Sequence, residues 1–280
     1  MAEPSRMSWA ELRSRPSPKP TRSIAYGGDP SQVADLWLPE GEGSHPVVVL
    51  IHGGCWQASV ADRSYFNSAA EDLRRRGLAV WNIEYRGVDQ PGGGYPGTFQ
   101  DVAAAIDRLG VEAPKLHLSL KHLVVAGHSA GGHLALWVAA RHRIAKSSPL
   151  HQAAPLRVSA VVDIAGIPNL ETDTHTACGG DGIKQLTGVP TEVRPNVFSD
   201  TSPAHLLPLG VPQVVIHGAQ DVTVAPAVGE AYVKAARAAG DHVAFHTPLG
   251  AHVEEVAPGT AAWADVSATI IALAHGRPVT

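Results

Sequence analysis

Gly127-His128-Ser129-Ala130-Gly131 decides how the rest of the chain is read. The run before it, His122-Leu123-Val124-Val125-Ala126, is short, apolar and β-branched, and His133-Leu134-Ala135-Leu136-Trp137-Val138-Ala139-Ala140-Arg141 after it reads as helix. The spacing predicts strand, sharp turn and helix, with Gly-x-Ser-x-Gly at the turn. A serine held there needs glycines on either side, because a Cβ at those positions would collide with the closing strand and helix. Its hydroxyl is pushed out where a substrate can reach it. Taken alone the pattern also fits a glycine-rich turn holding a chance serine, so the partners a nucleophile needs must be found elsewhere.

The chain has 280 residues, 44% hydrophobic and 17% charged, which is ordinary for a soluble globular enzyme with a sizeable core. A net charge of −4 without a basic cluster argues against a nucleic-acid partner. The one basic run, Arg74-Arg75-Arg76, closes a predicted helix, where positive charge suits the dipole. Cys55 and Cys178 cannot form a framework of disulfides, which fits a reducing compartment. The first 20 residues hold no apolar stretch of signal-peptide length, and no run approaches the roughly 18 apolar residues of a membrane span. The expectation is a soluble cytoplasmic protein with no membrane partner, and with a homodimer left open.

Residues 1–22 read as a loosely ordered arm that Trp9 and Leu12 could pin to the body or to a second subunit. Residues 23–280 read as one domain. An opening hairpin of two antiparallel strands, 24–26 and 33–38, flanks the turn signal Gly27-Gly28-Asp29-Pro30. Strand–helix alternation follows. Val47-Val48-Val49-Leu50-Ile51 is a continuous apolar run, the mark of a strand buried on both faces of a parallel sheet. Residues 60–76 are amphipathic, with Tyr65, Phe66, Ala69, Ala70 and Leu73 at helical spacing and Gly77 as a stop. Further strands are predicted at 78–83, 158–164, 213–217 and 243–246, and helices at 99–109, 225–239 and 260–274. The fold class is therefore α/β, with a mostly parallel central sheet flanked by helices. Residues 165–206 break the rhythm, rich in Pro, Gly, Thr, Asp and His, and read as a small cap over the strands' C-terminal ends.

A serine hydroxyl needs a base to take its proton and an acid to orient that base. In such a sheet both belong on loops at the C-terminal ends of strands. Asp221 leaves the buried run Val214-Val215-Ile216-His217 through a turn, and Gly250-Ala251-His252 lies between the last strand and the last helix. Among the 15 histidines only His252 stands in a glycine-led loop there. The chain order Ser129, Asp221, His252 is that of the α/β-hydrolase arrangement. His128 reads as a packing residue or one beside the site, since its side chain points away from the serine's. A developing oxyanion needs N–H donors, one from Ala130 and others from the loop His52-Gly53-Gly54-Cys55-Trp56, which His52 can tie down by a hydrogen bond. Gly92-Gly93-Gly94 precedes Tyr95-Pro96 rather than a Lys-Ser or Lys-Thr, so no P-loop follows. With no His-Glu-x-x-His, and with His175-Thr176-Ala177-Cys178 only a half-site, neither metal nor cofactor is expected.

The chain resembles the α/β-hydrolase superfamily, in the branch of kynurenine formamidases (arylformamidases) and small bacterial esterases related to the hormone-sensitive-lipase group. The matching stretches are His52-Gly53-Gly54-Cys55-Trp56, Asn82-Ile83-Glu84-Tyr85-Arg86, Gly92-Gly93-Gly94-Tyr95-Pro96-Gly97-Thr98, Gly127-His128-Ser129-Ala130-Gly131-Gly132-His133-Leu134, Thr201-Ser202-Pro203-Ala204, His217-Gly218-Ala219-Gln220-Asp221 and Gly250-Ala251-His252. The resemblance implies a nucleophile at Ser129, a base at His252 and an acid at Asp221. It implies donors at Gly54, Cys55 and Ala130, with Gly53 shaping the loop. Cys55 stands where the hormone-sensitive-lipase pattern has a third glycine, which alters the shape of the loop and keeps its N–H. The expected activity is cleavage of a small carboxylic ester, or alternatively of an N-formyl amide. A binding protein that keeps the fold without turnover is the rival from another class. Trp56, Tyr95 and His128 are the expected pocket residues.

Overall fold

The computed structural model describes residues 6–174, 176 and 178–279. Helix α1 (Trp9–Ser14) precedes the strands β1 (Arg22–Ala25), β2 (Val33–Trp37) and β3 (His45–Ile51). Then come α2 (Asn67–Arg75), β4 (Ala79–Ile83), α3 (Gly97–Glu112), β5 (Leu118–His128) and α4 (Ala130–Ala140). The chain continues through β6 (Ala160–Ile164), α5 (Gly179–Thr187), β7 (Gln213–Ile216), α6 (Pro226–Ala238), β8 (Val243–His246) and α7 (Ala261–Ala274). The eight strands form one sheet in the order β1-β2-β4-β3-β5-β6-β7-β8. β1 pairs with β2 and β2 with β4 antiparallel, and the other five pairings of the sheet are parallel. The α/β class read from strand–helix alternation is the class observed.

The continuous apolar strands are explained by cover on both faces. Val47, Val49 and Ile51 of β3 pack on one side with Phe99 and Ile106 of α3, Leu134 and Trp137 of α4, and Val233 of α6. Val48 and Leu50 pack on the other side with Leu73 of α2 and with Trp263 and Ile270 of α7. Parallel register then aligns the strand ends. Ile51 pairs with Gly127, His128 with Ile164, Ile164 with Ile216, and Ile216 with His246. The segments leaving β3, β5, β6, β7 and β8 therefore all emerge along one edge.

One stretch differs from the sequence expectation, and two others gain detail. The helix expected over 60–76 is a 3₁₀ turn, Arg63–Phe66, followed by α2. Asp62 caps the turn through Ser64 N at 2.7 Å, while Asp89 holds the amides of Ala58 and Ser59 at 2.8 and 2.9 Å. Local side-chain acceptors thus compete with helix over the first half of the stretch. Within residues 165–206 lie the short helix α5 and a 3₁₀ turn, Pro203–His205. The N-terminal segment forms α1, closed by a capping box in which Ser8 and Glu11 satisfy each other's backbone N–H groups. Among the described residues no helix is long and apolar enough to cross a membrane.

Candidate active site

Ser129 occupies the junction of β5 and α4 with φ 56° and ψ −122°, a left-handed conformation that a side chain rarely adopts. The two flanking glycines permit it. A Cβ on Gly127 would lie 1.9 Å from Gly131 O, and one on Gly131 would lie 2.0 Å from Ile51 O. The turn is anchored to the neighbouring strand by Ser129 N donating to Ile164 O at 2.8 Å. Among the described residues Ser129 Oγ forms no hydrogen bond, and the residue is 5% exposed.

The loops after β7 and β8 are laced together by Ala219 N to Pro248 O, 2.8 Å, and Gln220 N to Gly250 O, 2.9 Å. That lacing brings His252 to Asp221. Asp221 Oδ1 accepts from the amides of Thr223 and Val224 at 2.7 and 3.0 Å, leaving Oδ2 to accept from His252 Nδ1 at 2.7 Å. Because the carboxylate only accepts, Nδ1 carries a proton and the lone pair of Nε2 is free to receive one. Glu255 lies beneath, fully buried, with Oε1 accepting from Gly218 N. Burial and the nearby Asp221 charge push its carboxyl well above the usual range.

The loop after β3 turns on three consecutive left-handed residues, Gly54, Cys55 and Trp56, at φ 99°, 52° and 57°. His52 ties it down, with Nδ1 2.8 Å from Gly53 O and Nε2 2.6 Å from Glu84 Oε1. The His52 ring stacks on Tyr85 at 4.3 Å, and the Tyr85 hydroxyl donates to His52 O. Glu84 had no assigned role in the sequence, and nothing in its local pattern marks it as the partner of His52. Burial acts to raise its pKa, but His52 and the N–H groups of Arg63 and Tyr85 outweigh that and hold the carboxyl below its ordinary value. The amides of Gly54, Cys55 and Ala130 have no hydrogen-bond partner among the described residues.

Cys55 is bonded to Cys178 across a sequence separation of 123, with the Cα atoms 5.1 Å apart. By number alone the two cysteines fit a reducing compartment. The pairing instead staples the loop after β3 to the residue that opens α5, and it removes any thiol nucleophile beside Ser129. His175 and Ala177 of the half-site noted in the sequence lie outside the described residues.

The three pocket candidates have other surroundings. Trp56 is completely buried, its Nε1 3.1 Å from Ala130 O and 3.2 Å from His133 Nδ1, so it supports α4 from within the core rather than facing a ligand. Tyr95 donates to Asp200 Oδ2 at 2.9 Å with the Arg194 guanidinium 3.6 Å above its ring, which joins it to the segment 165–206. His128 is fully buried under His252, their rings 4.4 Å apart. A residue not expected there, Trp9 of α1, lies with its ring 6.2 Å from that of His252. His128, His252 and Glu255 group their ligand atoms within 4.8 Å. His252 Nδ1 is already committed to Asp221 and His128 Nε2 to His252 O, so the cluster belongs to the hydrogen-bond network of the site. A cavity of about 860 Å³, lined by His122, Gln213, Arg237 and Arg277 among others, opens at the opposite ends of the strands and is remote from Ser129.

The BD-FAE family profile matches residues 34–235. Esterase LipC of Mycobacterium tuberculosis is 30% identical over 229 residues, covering 78% of this chain and 55% of LipC. Kynurenine formamidase of Danio rerio is 28% identical over 127 residues, 45% of this chain and 41% of that protein. The chain thus spans about half the length of these curated relatives. Among solved structures, Esterase B from Lactobacillus rhamnosis, inhibited by a tributyrin phosphonate, superimposes with a TM-score of 0.79 at 21% identity, covering 95% of this chain and 92% of that one. The chain belongs to the BD-FAE family and has the α/β-hydrolase fold.

Proposed function

We propose that the chain is a serine hydrolase that cleaves a small carboxylic ester through an acyl-enzyme on Ser129. The observation that carries the reading is the 2.7 Å contact of His252 Nδ1 with Asp221 Oδ2, at the strand edge that also bears the strained Ser129. Asp221 orients the imidazole and stabilises its cation. His252 Nε2 accepts the proton of Ser129 Oγ as the oxygen attacks the substrate carbonyl. Among the described residues the hydroxyl is unbonded in this resting geometry, and such contacts tighten when substrate is bound. Negative charge gathers on the carbonyl oxygen, where the unpartnered amides of Gly54, Cys55 and Ala130 are available as donors. Collapse expels the alcohol with the proton returned by His252. Water, activated by the same base, then releases the acid.

Small size in the substrate is supported by the slight exposure of Ser129 and His252, 5% each. An arylformamidase is the second reading, favoured by the similarity to the Danio rerio enzyme. Amide cleavage needs the same residues and asks more of His252 as the acid for the leaving amine. Initial rates on p-nitrophenyl acetate, p-nitrophenyl butyrate and N-formylkynurenine separate the two. Faster turnover of the esters, abolished in Ser129→Ala, is expected. Preference for the formamide would move the second reading to the front, and turnover retained in Ser129→Ala would overturn both.

A further inference from the structure

The nucleophile turn contains one residue that ester cleavage by Ser129, His252 and Asp221 leaves without a task. His128 is completely buried, and both of its ring nitrogens are engaged. Nε2 lies 3.0 Å from His252 O, a carbonyl that can only accept, so Nε2 carries the hydrogen. Burial and the neighbouring His252 hold the His128 pKa well below the ordinary range, which leaves Nδ1 a bare acceptor. The Tyr65 hydroxyl, 3.2 Å away, therefore donates to Nδ1, and its oxygen in turn accepts the N–H of Gly53. Every group in the chain has one consistent direction. It runs from Gly53 N–H to Tyr65 O, from Tyr65 O–H to His128 Nδ1, and from His128 Nε2–H to His252 O.

We propose that Tyr65 and His128 are positioning residues, a buried hydrogen-bonded strut that holds the oxyanion loop at Gly53 in register with the backbone of the base, His252. The proposal rests on the reading that Ser129 and His252 carry the chemistry. Its physical need is clear from the topology. The loop after β3 and the loop after β8 start from strands with β5, β6 and β7 between them, so no strand pairing fixes one against the other. The strut passes directly behind the turn. A Cβ on Gly53 would be 2.7 Å from His128 O, 2.9 Å from Ser129 Cβ and 3.2 Å from the Tyr65 hydroxyl, which places nucleophile, loop and strut in mutual contact. Trp9 closes the outer side, its ring 5.5 Å from Tyr65, 6.0 Å from His128 and 6.2 Å from His252. An error of about 1 Å between base and oxyanion donors costs on the order of 100-fold in rate.

The test begins with the unmodified full chain, assayed on p-nitrophenyl acetate and for a fluorophosphonate adduct on Ser129. Failure of both on folded protein overturns the hydrolase reading, while the spectrum described next still reads the strut. In a ¹⁵N–¹H imidazole spectrum of the wild type at neutral pH, His128 is expected as the Nε2–H tautomer. Tyr65→Phe, which removes a single oxygen, is expected to lower kcat about 10- to 100-fold while KM stays within about twofold. His128→Leu is expected to do the same. His128→Gln, whose amide can still donate to His252 O, is expected to recover most of the loss. Any of three results overturns the strut: an Nδ1–H tautomer at His128, wild-type kcat in Tyr65→Phe, or equal losses in His128→Gln and His128→Leu. Should the substitutions prevent folding, the tautomer measured in the wild type decides.

Discussion

Asp221 gives one oxygen to the turn that carries it and the other to His252, so its carboxylate is held in one orientation. Asp221→Asn would present an N–H or a weaker acceptor to Nδ1 and favour the wrong tautomer. Activity on p-nitrophenyl acetate is expected to fall by about 10³- to 10⁴-fold with the fold retained; near-normal turnover would remove Asp221 from the mechanism. Asp163 on β6 is an acid of another kind. It is fully buried beside the Gly166 amide, and burial outweighs that N–H and pushes its pKa up to about 8. The folded state thus holds a proton that the unfolded chain releases near 3.8, the ordinary value of an aspartate, so stability is greatest below that value and is lost as pH rises toward about 8. Asp163→Asn keeps the shape of the neutral acid and cannot ionise. Its melting temperature is expected to gain on the wild type as pH is raised from 5 to 8. Parallel melting curves across that range would show that Asp163 does not titrate this way.

At the scale of elements, α1 and α5 tie the edges of the site together. Besides placing Trp9 beside His252, α1 is preceded by Met7, whose N–H donates to Glu254 Oε1 at 2.7 Å, and followed by Arg15, whose Nη1 donates to Pro258 O at 2.6 Å, both on the segment after His252. Arg13 Nη2 reaches Val60 O at 2.9 Å, on the loop after β3. Leu12 is the residue of α1 that enters the core, and Leu12→Ala should weaken docking by about 2–3 kcal/mol. Tryptic cleavage after Arg13 or Arg15 is expected to accelerate in that variant, and unchanged cleavage would show that Leu12 does not hold the arm. At α5 the constraint is covalent. A bridge closing so long a stretch of chain contributes about 2–4 kcal/mol by restricting the unfolded state. Cys178→Ser should melt several degrees below the oxidised wild type, and dithiothreitol should bring the wild type down to the variant without moving the variant. A wild type indifferent to the reductant would contradict the bridge. Neither helix is legible in the sequence, although Trp9 and Leu12 do read there as residues able to pin the arm. The six residues of α1 bury only Leu12, too little for a periodic pattern, and α5 opens Gly-Gly-Asp-Gly, which carries no helical signal.

Across the whole molecule, the legible parts are those written in local pattern. β3 and β5 are continuous apolar runs because both faces are covered, and Ser129 is visible because only glycines can flank its conformation. The Asp221 and His252 loops follow from strand order alone, since parallel strands deliver their ends to one edge. Direction of side chains is what escaped. Trp56 belongs to the glycine-rich loop after β3, yet its ring turns into the core to meet His133, and Tyr65 reads as one more apolar position although its hydroxyl reaches Gly53. Tertiary packing sets both orientations, and no spacing rule reports them.

The most direct measurement is intact mass with peptide mapping after exposure to a fluorophosphonate, comparing the wild type with Ser129→Ala and His252→Ala. One adduct on Ser129 is expected, absent in Ser129→Ala and formed far more slowly in His252→Ala. A folded wild type that takes no adduct, or takes it at another residue, would contradict Ser129 as the nucleophile.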